Sequence, residues 1–193
     1  MMIVFALSRW PGLMPQNFSA AYAVAFCAGV YFPPRLRWIL PLGTTLVLDI
    51  LLNRYYDQPF LQLSLWVFIL VKLAAFAGII WIGTWFQKKN SLVSLIGGGI
   101  LGAIVFYLVT NFASWLYDPA YPKTLAGLFQ ALTSGVPGLP PTWTFFRNTL
   151  LSGGLFTGLF AGAMKLTEAA EEAKEKETDE VPAGEEQPEK SGA

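Results

Sequence analysis

The stretch LQLSLWVFILVKLAAFAGIIWIGTWF, residues 61–86, decides the fold class of this chain. Its 26 residues carry a single charge, on Lys72. About 20 consecutive apolar residues cross the hydrocarbon core of a bilayer as a helix, since unpaired backbone groups are not tolerated there. The stretch therefore predicts a membrane-spanning helix that is long enough to cross with tilt.

Further apolar segments predict an all-α, polytopic transmembrane bundle of about six helices. Residues 91–117 form a second unambiguous span, and residues 143–166 form a third. Residues 18–32 and 38–53 are shorter and flank the turn sequence PPRLR, which predicts a helical hairpin whose arms just cross the bilayer. The apolar residues 1–8 predict a short first helix.

One further segment, residues 123–136, is either an additional short span or an interfacial or re-entrant helix. Its polar residues Gln130, Thr133 and Ser134, followed by the sequence PGLPP, favour the second interpretation. With six helices, the positive-inside rule places both termini in the cytoplasm. The inner loops then carry unopposed positive charge, whereas two of the three outer segments pair it with acid; the exception is RWPGLMPQ with Arg9.

Charge divides the chain into two domains. Up to residue 167 there are ten lysines and arginines against three aspartates, a surplus of seven positive charges, and from Glu168 there are ten acids against three lysines. We therefore predict a transmembrane helical domain over 1–167 and an acidic, disordered cytoplasmic tail over 168–193. The expected location is a bacterial inner membrane, with the lipid bilayer as the principal partner and no nucleic acid.

The composition argues against most catalytic chemistry. The chain has no histidine and a single cysteine, Cys27, so the common metal sites and acyl-transfer mechanisms lack their residues. No Walker A sequence is present, so any transport energy would come from a partner. We predict a protein that is not an enzyme and has no catalytic residues, metal or cofactor; a membrane enzyme using Asp49 as a base is the least favoured alternative.

Polar residues that the topology brings to the outer leaflet define a candidate solute-binding pocket. They come from loops and helix ends that are far apart in sequence, and ionisable residues within a span usually face a cavity or a partner. The candidate substrate-binding residues are Asn17, Asp49, Asn53, Lys72, Asn111, Trp115, Tyr121, Arg147 and Asn148.

Each of these residues also has a structural interpretation. Asp49 needs a cationic partner, for which Arg54 and Arg147 are the nearest candidates, and the pair would lock the bundle. Lys72 either snorkels or pairs with Asp49, or else faces the cavity as a counter-ion. Trp115 and the nearby tyrosines are typical of an interfacial aromatic belt. A belt needs no amide one turn inside it, so Asn111 favours a binding-site wall.

Small residues recur every four positions and predict close helix packing. The three sets are Ala21, Ala25 and Gly29; Gly98 and Gly102; and Gly154, Gly158 and Gly162. We expect most of these contacts to lie within the bundle, and a face for a separate membrane partner is the alternative.

The segments QNFSAAYAVAFCAGVYF, TNFASWL, YPKTLAGLFQA and FFRNTLLSGGLFTGLFAG resemble, in order and spacing, a bacterial integral membrane protein family of unknown function. The resemblance covers residues 16–163. Family members carry proline where this chain has Gln16, Leu-Ser-Asp in place of VLD at 47–49, and a Leu-Gly-Asp-like stretch in place of LSGG at 151–154.

The layout of this family is similar to that of the S components of energy-coupling-factor vitamin transporters. This similarity implies a small-molecule ligand under the outer loops and docking on a membrane coupling protein with ATPases. The expected function is thus a small-solute-binding or uptake subunit with an outward-facing polar pocket. The alternative is a structural or assembly membrane protein without transport activity.

Overall fold

The computed structural model describes residues 1–59, 62–88 and 91–179, and this part of the chain folds as seven helices without strands. Their bounds are α1 Met2–Ser8, α2 Ala21–Tyr31, α3 Leu36–Tyr55, α4 Leu63–Thr84, α5 Leu92–Tyr117, α6 Leu125–Leu132 and α7 Thr142–Asp179. The all-α prediction is confirmed. In addition to the six expected helices there is a seventh, α6, in the segment for which we favoured an interfacial or re-entrant helix.

Four of these helices, α3, α4, α5 and α7, are long and apolar enough to cross a membrane. Their outward faces carry large apolar side chains such as Val47, Leu108 and Leu155, which are about half exposed. Contiguous exposed apolar faces of this kind belong against lipid or another membrane protein. The chain is therefore a multi-pass membrane protein.

Helix α2 is central and shorter than expected. It packs against α3, α4 and α5, and its residues from Ala21 to Val30 are all buried. Its 11 residues span about 16 Å at 1.5 Å per residue, against a hydrocarbon core of about 30 Å. The expectation that residues 18–32 cross the bilayer as one arm of a hairpin is therefore wrong. Residues 9–20, which we call loop L1, fold into the space beyond its first turn.

Backbone contact between α2 and α4 fixes this central position. A Cβ atom added at Gly29 would overlap the carbonyl oxygen of Ile80, and one added at Gly83 would overlap that of Phe26. Small residues let helix backbones approach in this way. The predicted packing role of Gly29 is confirmed. Helices α5 and α7 approach each other differently, with the Thr157 side chain packed against Gly99.

Contacts divide the chain into two compact units, Met1–Gly162 and Ala163–Ala193. In the second unit the structure describes residues 163–179, which are helical, although 168–179 fell within the predicted disordered tail. Alanine, glutamate and lysine favour helix, and Glu172 and Lys176 are four apart, a spacing that stabilises it. Residues 180–193, the rest of that tail, lie outside the described residues.

Candidate functional site

Asp49 is the centre of a buried ion cluster that also contains Arg9 and Lys72. Arg9 Nη2 donates a hydrogen bond of 2.6 Å to Asp49 Oδ1, and Lys72 Nζ lies 2.9 Å from Asp49 Oδ2. The Asp49 side chain is 2% exposed, Arg9 15% and Lys72 29%. A carboxylate at this depth needs such partners, and the cluster joins L1, α3 and α4.

The partners of Asp49 differ in part from those expected. Arg9 takes the place predicted for Arg54 or Arg147, whereas pairing with Lys72 was one of the expected alternatives. Helix α1 packs against α3, with Thr44 Oγ1 donating to Met2 Sδ at 3.7 Å. This packing carries Arg9, the first residue after α1, to Asp49.

A cavity of about 300 Å³ lies beneath L1, beside this cluster. Most of L1 forms one wall, and Arg9 and Lys72 both contribute to the lining. The remaining lining side chains come from the end of α1, the start of α2, the end of α3, and α4 and α5: Ser8, Ala21, Tyr22, Leu52, Tyr56, Phe76 and Phe106. The cavity exists because α2 begins inside the bundle, at the buried residue Ala21, and L1 does not fill the space beyond this start.

Hydrogen bonds fix both ends of L1. The Ser8 hydroxyl, directly before L1, accepts from the backbone N–H of Ala20, the last residue of L1, at 2.9 Å and donates to the Phe5 carbonyl at 2.9 Å. Within L1, the Gln16 carbonyl accepts a hydrogen bond of 2.9 Å from Asn148 Nδ2. Asn17 has a φ of 59°, in the left-handed region that asparagine tolerates. L1 is thus a held wall of the cavity.

The stretch around Asn111 and Trp115 forms a different structure, a joint between α5 and α6. Asn111 Nδ2 donates to the Tyr107 carbonyl at 2.8 Å, within its own helix, and Trp115 Nε1 donates to the Pro122 carbonyl at 2.9 Å. Lys123 Nζ donates to the carbonyls of Trp115 and Asp118, both at 2.6 Å. These bonds satisfy carbonyls at the end of α5.

Tyr121 is buried in this joint. Burial raises the pKa of its phenol above the ordinary value of 10.0, and the negative charge of Asp118 raises it further, whereas a hydrogen bond with Thr142 lowers it. The phenol therefore stays neutral at physiological pH and acts there as a hydrogen-bonding group.

The nine predicted binding residues are consequently distributed over more than one place. Asn17 and Lys72 line the cavity, and Asp49 lies behind it, paired with two lining cations. Asn148 supports L1, while Arg147 stacks over the Trp143 ring at 5.6 Å. Only Asn17 and Lys72 of the nine belong to the described cavity wall; the other seven, Asp49, Asn53, Asn111, Trp115, Tyr121, Arg147 and Asn148, do not.

Two kinds of lining residue were missed from the sequence. Arg9 had a signal, because its segment was the one outer segment with an unopposed cation and Asp49 was a span acid in need of a cation. No sequence signal distinguishes Tyr22, Phe76 and Phe106 from aromatic residues of an ordinary core. Their rings contact one another with centroids 4.9 to 6.2 Å apart.

The described residues contain no group of three histidine, cysteine or acidic side chains that would hold a metal ion. The fold and this site together define a polytopic α-helical membrane protein with a cation-lined cavity beneath a fixed loop. A family model described as a family of unknown function, DUF6580, matches residues 1–176, and the chain belongs to that family. No curated protein and no solved structure matches the chain.

Proposed function

We propose that this protein is a small-solute-binding or uptake subunit of a bacterial inner membrane, with the cavity beneath L1 as its outward-facing pocket. The observation that carries the proposal is the cavity itself, which is open beside two partly buried cations. Its volume of about 300 Å³ lies at the lower end of the range of ligand sites in proteins. A bundle that used its polar residues only for internal stability would have no need of this space.

The chemistry of the wall supports binding rather than catalysis. Apart from the cations, the cavity is lined by aromatic and aliphatic side chains and by a few hydroxyl and amide groups, which can orient a ligand. Asp49, the base considered from the sequence, is already held by two ion pairs. Uptake would also need energy from a partner, and the similarity in layout to S components suggests a membrane coupling protein with ATPases.

A structural or assembly role is the second candidate, and it too has an observation in its favour. The ion cluster connects L1 with α3 and α4, and the amide of Asn148 on α7 donates to the Gln16 carbonyl of L1. Direct hydrogen bonds and ion pairs between elements are what a scaffold would use. The two functions differ in whether the cavity holds a molecule.

Native mass spectrometry of the gently purified protein tests the choice. Leu52 is half-buried and lines the cavity, so Leu52→Trp would fill it, whereas the neighbouring Leu51 is exposed and lies outside its wall. We expect a small molecule to co-purify with the wild type and with Leu51→Trp, and to be lost from Leu52→Trp. The absence of any bound small molecule from all three samples would favour the scaffold.

A further inference from the structure

The charge of the cavity wall specifies the ligand more narrowly, on the premise that the proposed solute-binding function holds. Two cationic side chains, Arg9 and Lys72, belong to the wall. Within the described ranges 1–59, 62–88 and 91–179, no aspartate or glutamate does. The carboxylate of Asp49 lies behind the two cations and neutralises one of them, so the cluster retains one positive charge.

The two cations also retain unused hydrogen-bond donors. A guanidinium has five N–H groups and an ammonium has three. Arg9 makes one hydrogen bond to Asp49, Lys72 makes one close contact with it, and neither head group bonds to another side chain in the part of the chain that the structure describes. Unpaired charge inside a membrane protein is costly, which favours an anion at this position.

The neighbouring surface is aromatic. Phe76 lies one helical turn beyond Lys72 on α4, and it contacts the rings of Tyr22 and Phe106. The cavity floor is the first turn of α2, whose positive dipole end adds to the field of the cations. The cavity thus offers cations for an oxyanion and, next to them, aromatic rings for a flat apolar group.

We infer that the ligand is a small organic anion whose carboxylate or phosphate contacts Arg9 and Lys72 and whose apolar body packs against Tyr22, Phe76 and Phe106. A water-soluble aromatic acid and an anionic lipid share this chemistry. They differ in source, since the first enters from water and the second from the bilayer.

Binding of benzoate and of benzamide, which has the same shape without the charge, tests the inference. The readout is isothermal titration of the purified full-length protein in detergent. We expect benzoate to bind at least tenfold more tightly than benzamide. Lys72→Met leaves the Arg9–Asp49 pair intact and should lose the preference for benzoate. Lys72→Arg keeps the charge and should keep the preference. Arg54→Gln removes a cation outside the cavity wall and should also keep the preference.

The outcomes separate this inference from the proposed function. Equal binding of benzoate and benzamide, or binding of neither, overturns the assignment of an anionic ligand. The proposed solute-binding function survives that result if native mass spectrometry finds a neutral or cationic molecule in the wild type that is lost from Leu52→Trp. The absence of both probe binding and a co-purified molecule removes both proposals. Repeating the titration in nanodiscs with phosphatidylglycerol shows whether the ligand comes from water or from the bilayer. Loss of benzoate binding in these nanodiscs would mean that the anionic lipid occupies the cavity.

Discussion

Asp49 is held by cations that come from two distant parts of the chain, and this arrangement sets the effect of each substitution in the cluster. Arg9 and Lys72 are 63 positions apart in sequence, yet both approach the same carboxylate within 2.9 Å. Removing the acid leaves two mostly buried positive charges near each other. Removing one cation leaves a neutral pair.

Asp49→Asn should therefore be strongly destabilising. The amide has nearly the volume of the carboxylate but cannot neutralise Arg9 and Lys72, and breaking a buried ion pair from one side costs about 3–5 kcal/mol. We expect a loss of this order in the free energy of unfolding, measured by denaturant titration in mixed micelles.

Lys72→Met is the control for Asp49→Asn, because it changes a charge in the same cluster. It removes a cation but leaves Arg9 paired with Asp49, so the loss in the free energy of unfolding should be clearly smaller than for Asp49→Asn. Combining the two substitutions should cost less than their sum, since the neutral amide at position 49 then leaves only one cation without a counter-charge. Additive effects in this cycle would contradict the coupling.

At this scale the sequence identified the charges but not the geometry. Asp49 was recognisable as a carboxylate in need of a partner, and Lys72 as one candidate. Arg54 and Arg147 were the nearest candidates in the predicted topology, whereas the observed partner Arg9 depends on the packing of α1 against α3. Long-range pairing of this kind is fixed by tertiary contacts that no local pattern carries.

Helices α2 and α4 approach each other closely at Gly29 and Gly83. Gly83→Ala places a methyl group against the Phe26 carbonyl, and the rigid backbones on both sides cannot yield without separating the helices. Overpacking costs about 1–3 kcal/mol in well-packed cores, and we expect at least that here. Denaturant titration in mixed micelles measures the loss.

Gly78→Ala is the control on the same helix. A Cβ atom there meets nothing within 4 Å, and alanine favours helix over glycine by up to about 1 kcal/mol. Its stability should be unchanged or slightly higher. A similar loss for both variants would mean that the α2–α4 contact is looser than the structure shows.

The joint between α5 and α6 depends on one lysine. Lys123→Met removes two hydrogen bonds from the Trp115 and Asp118 carbonyls, which lie at the end of α5 and attract a cation. The lost hydrogen bonds of this exposed group stabilise the joint by about 1 kcal/mol in total, so amide exchange over residues 115–121 should accelerate roughly fivefold. Lys88→Met, at another exposed lysine after a helix, should leave these amides unchanged.

Element positions followed from apolar length wherever a segment was long enough to span. Helices α3, α4 and α5 lie close to their expected bounds, because membrane length is a strong constraint. Helix α2 departs from its prediction because its apolar sequence reflects complete burial within the bundle. A buried short helix and one arm of a membrane hairpin look alike in composition.

Charge over the whole molecule predicts its orientation. At the end of the bundle where α2 ends and α3 begins, Arg35 and Arg37 carry positive charge without a neighbouring acid. At the L1 end, Arg54 is accompanied by Asp57. The positive-inside rule therefore places the L1 end outside the cell, which an uptake role for the cavity requires.

Cysteine labelling in intact cells with a membrane-impermeant maleimide tests this orientation. Cys27, the chain's single cysteine, is 0% exposed and should not react. Gln58→Cys, at an exposed position following α3, should be labelled from outside, whereas Pro34→Cys, exposed before α3, should react only after lysis. The opposite pattern would turn the cavity toward the cytoplasm. Solute binding would then survive, but the cavity beneath L1 would no longer receive its ligand from outside the cell.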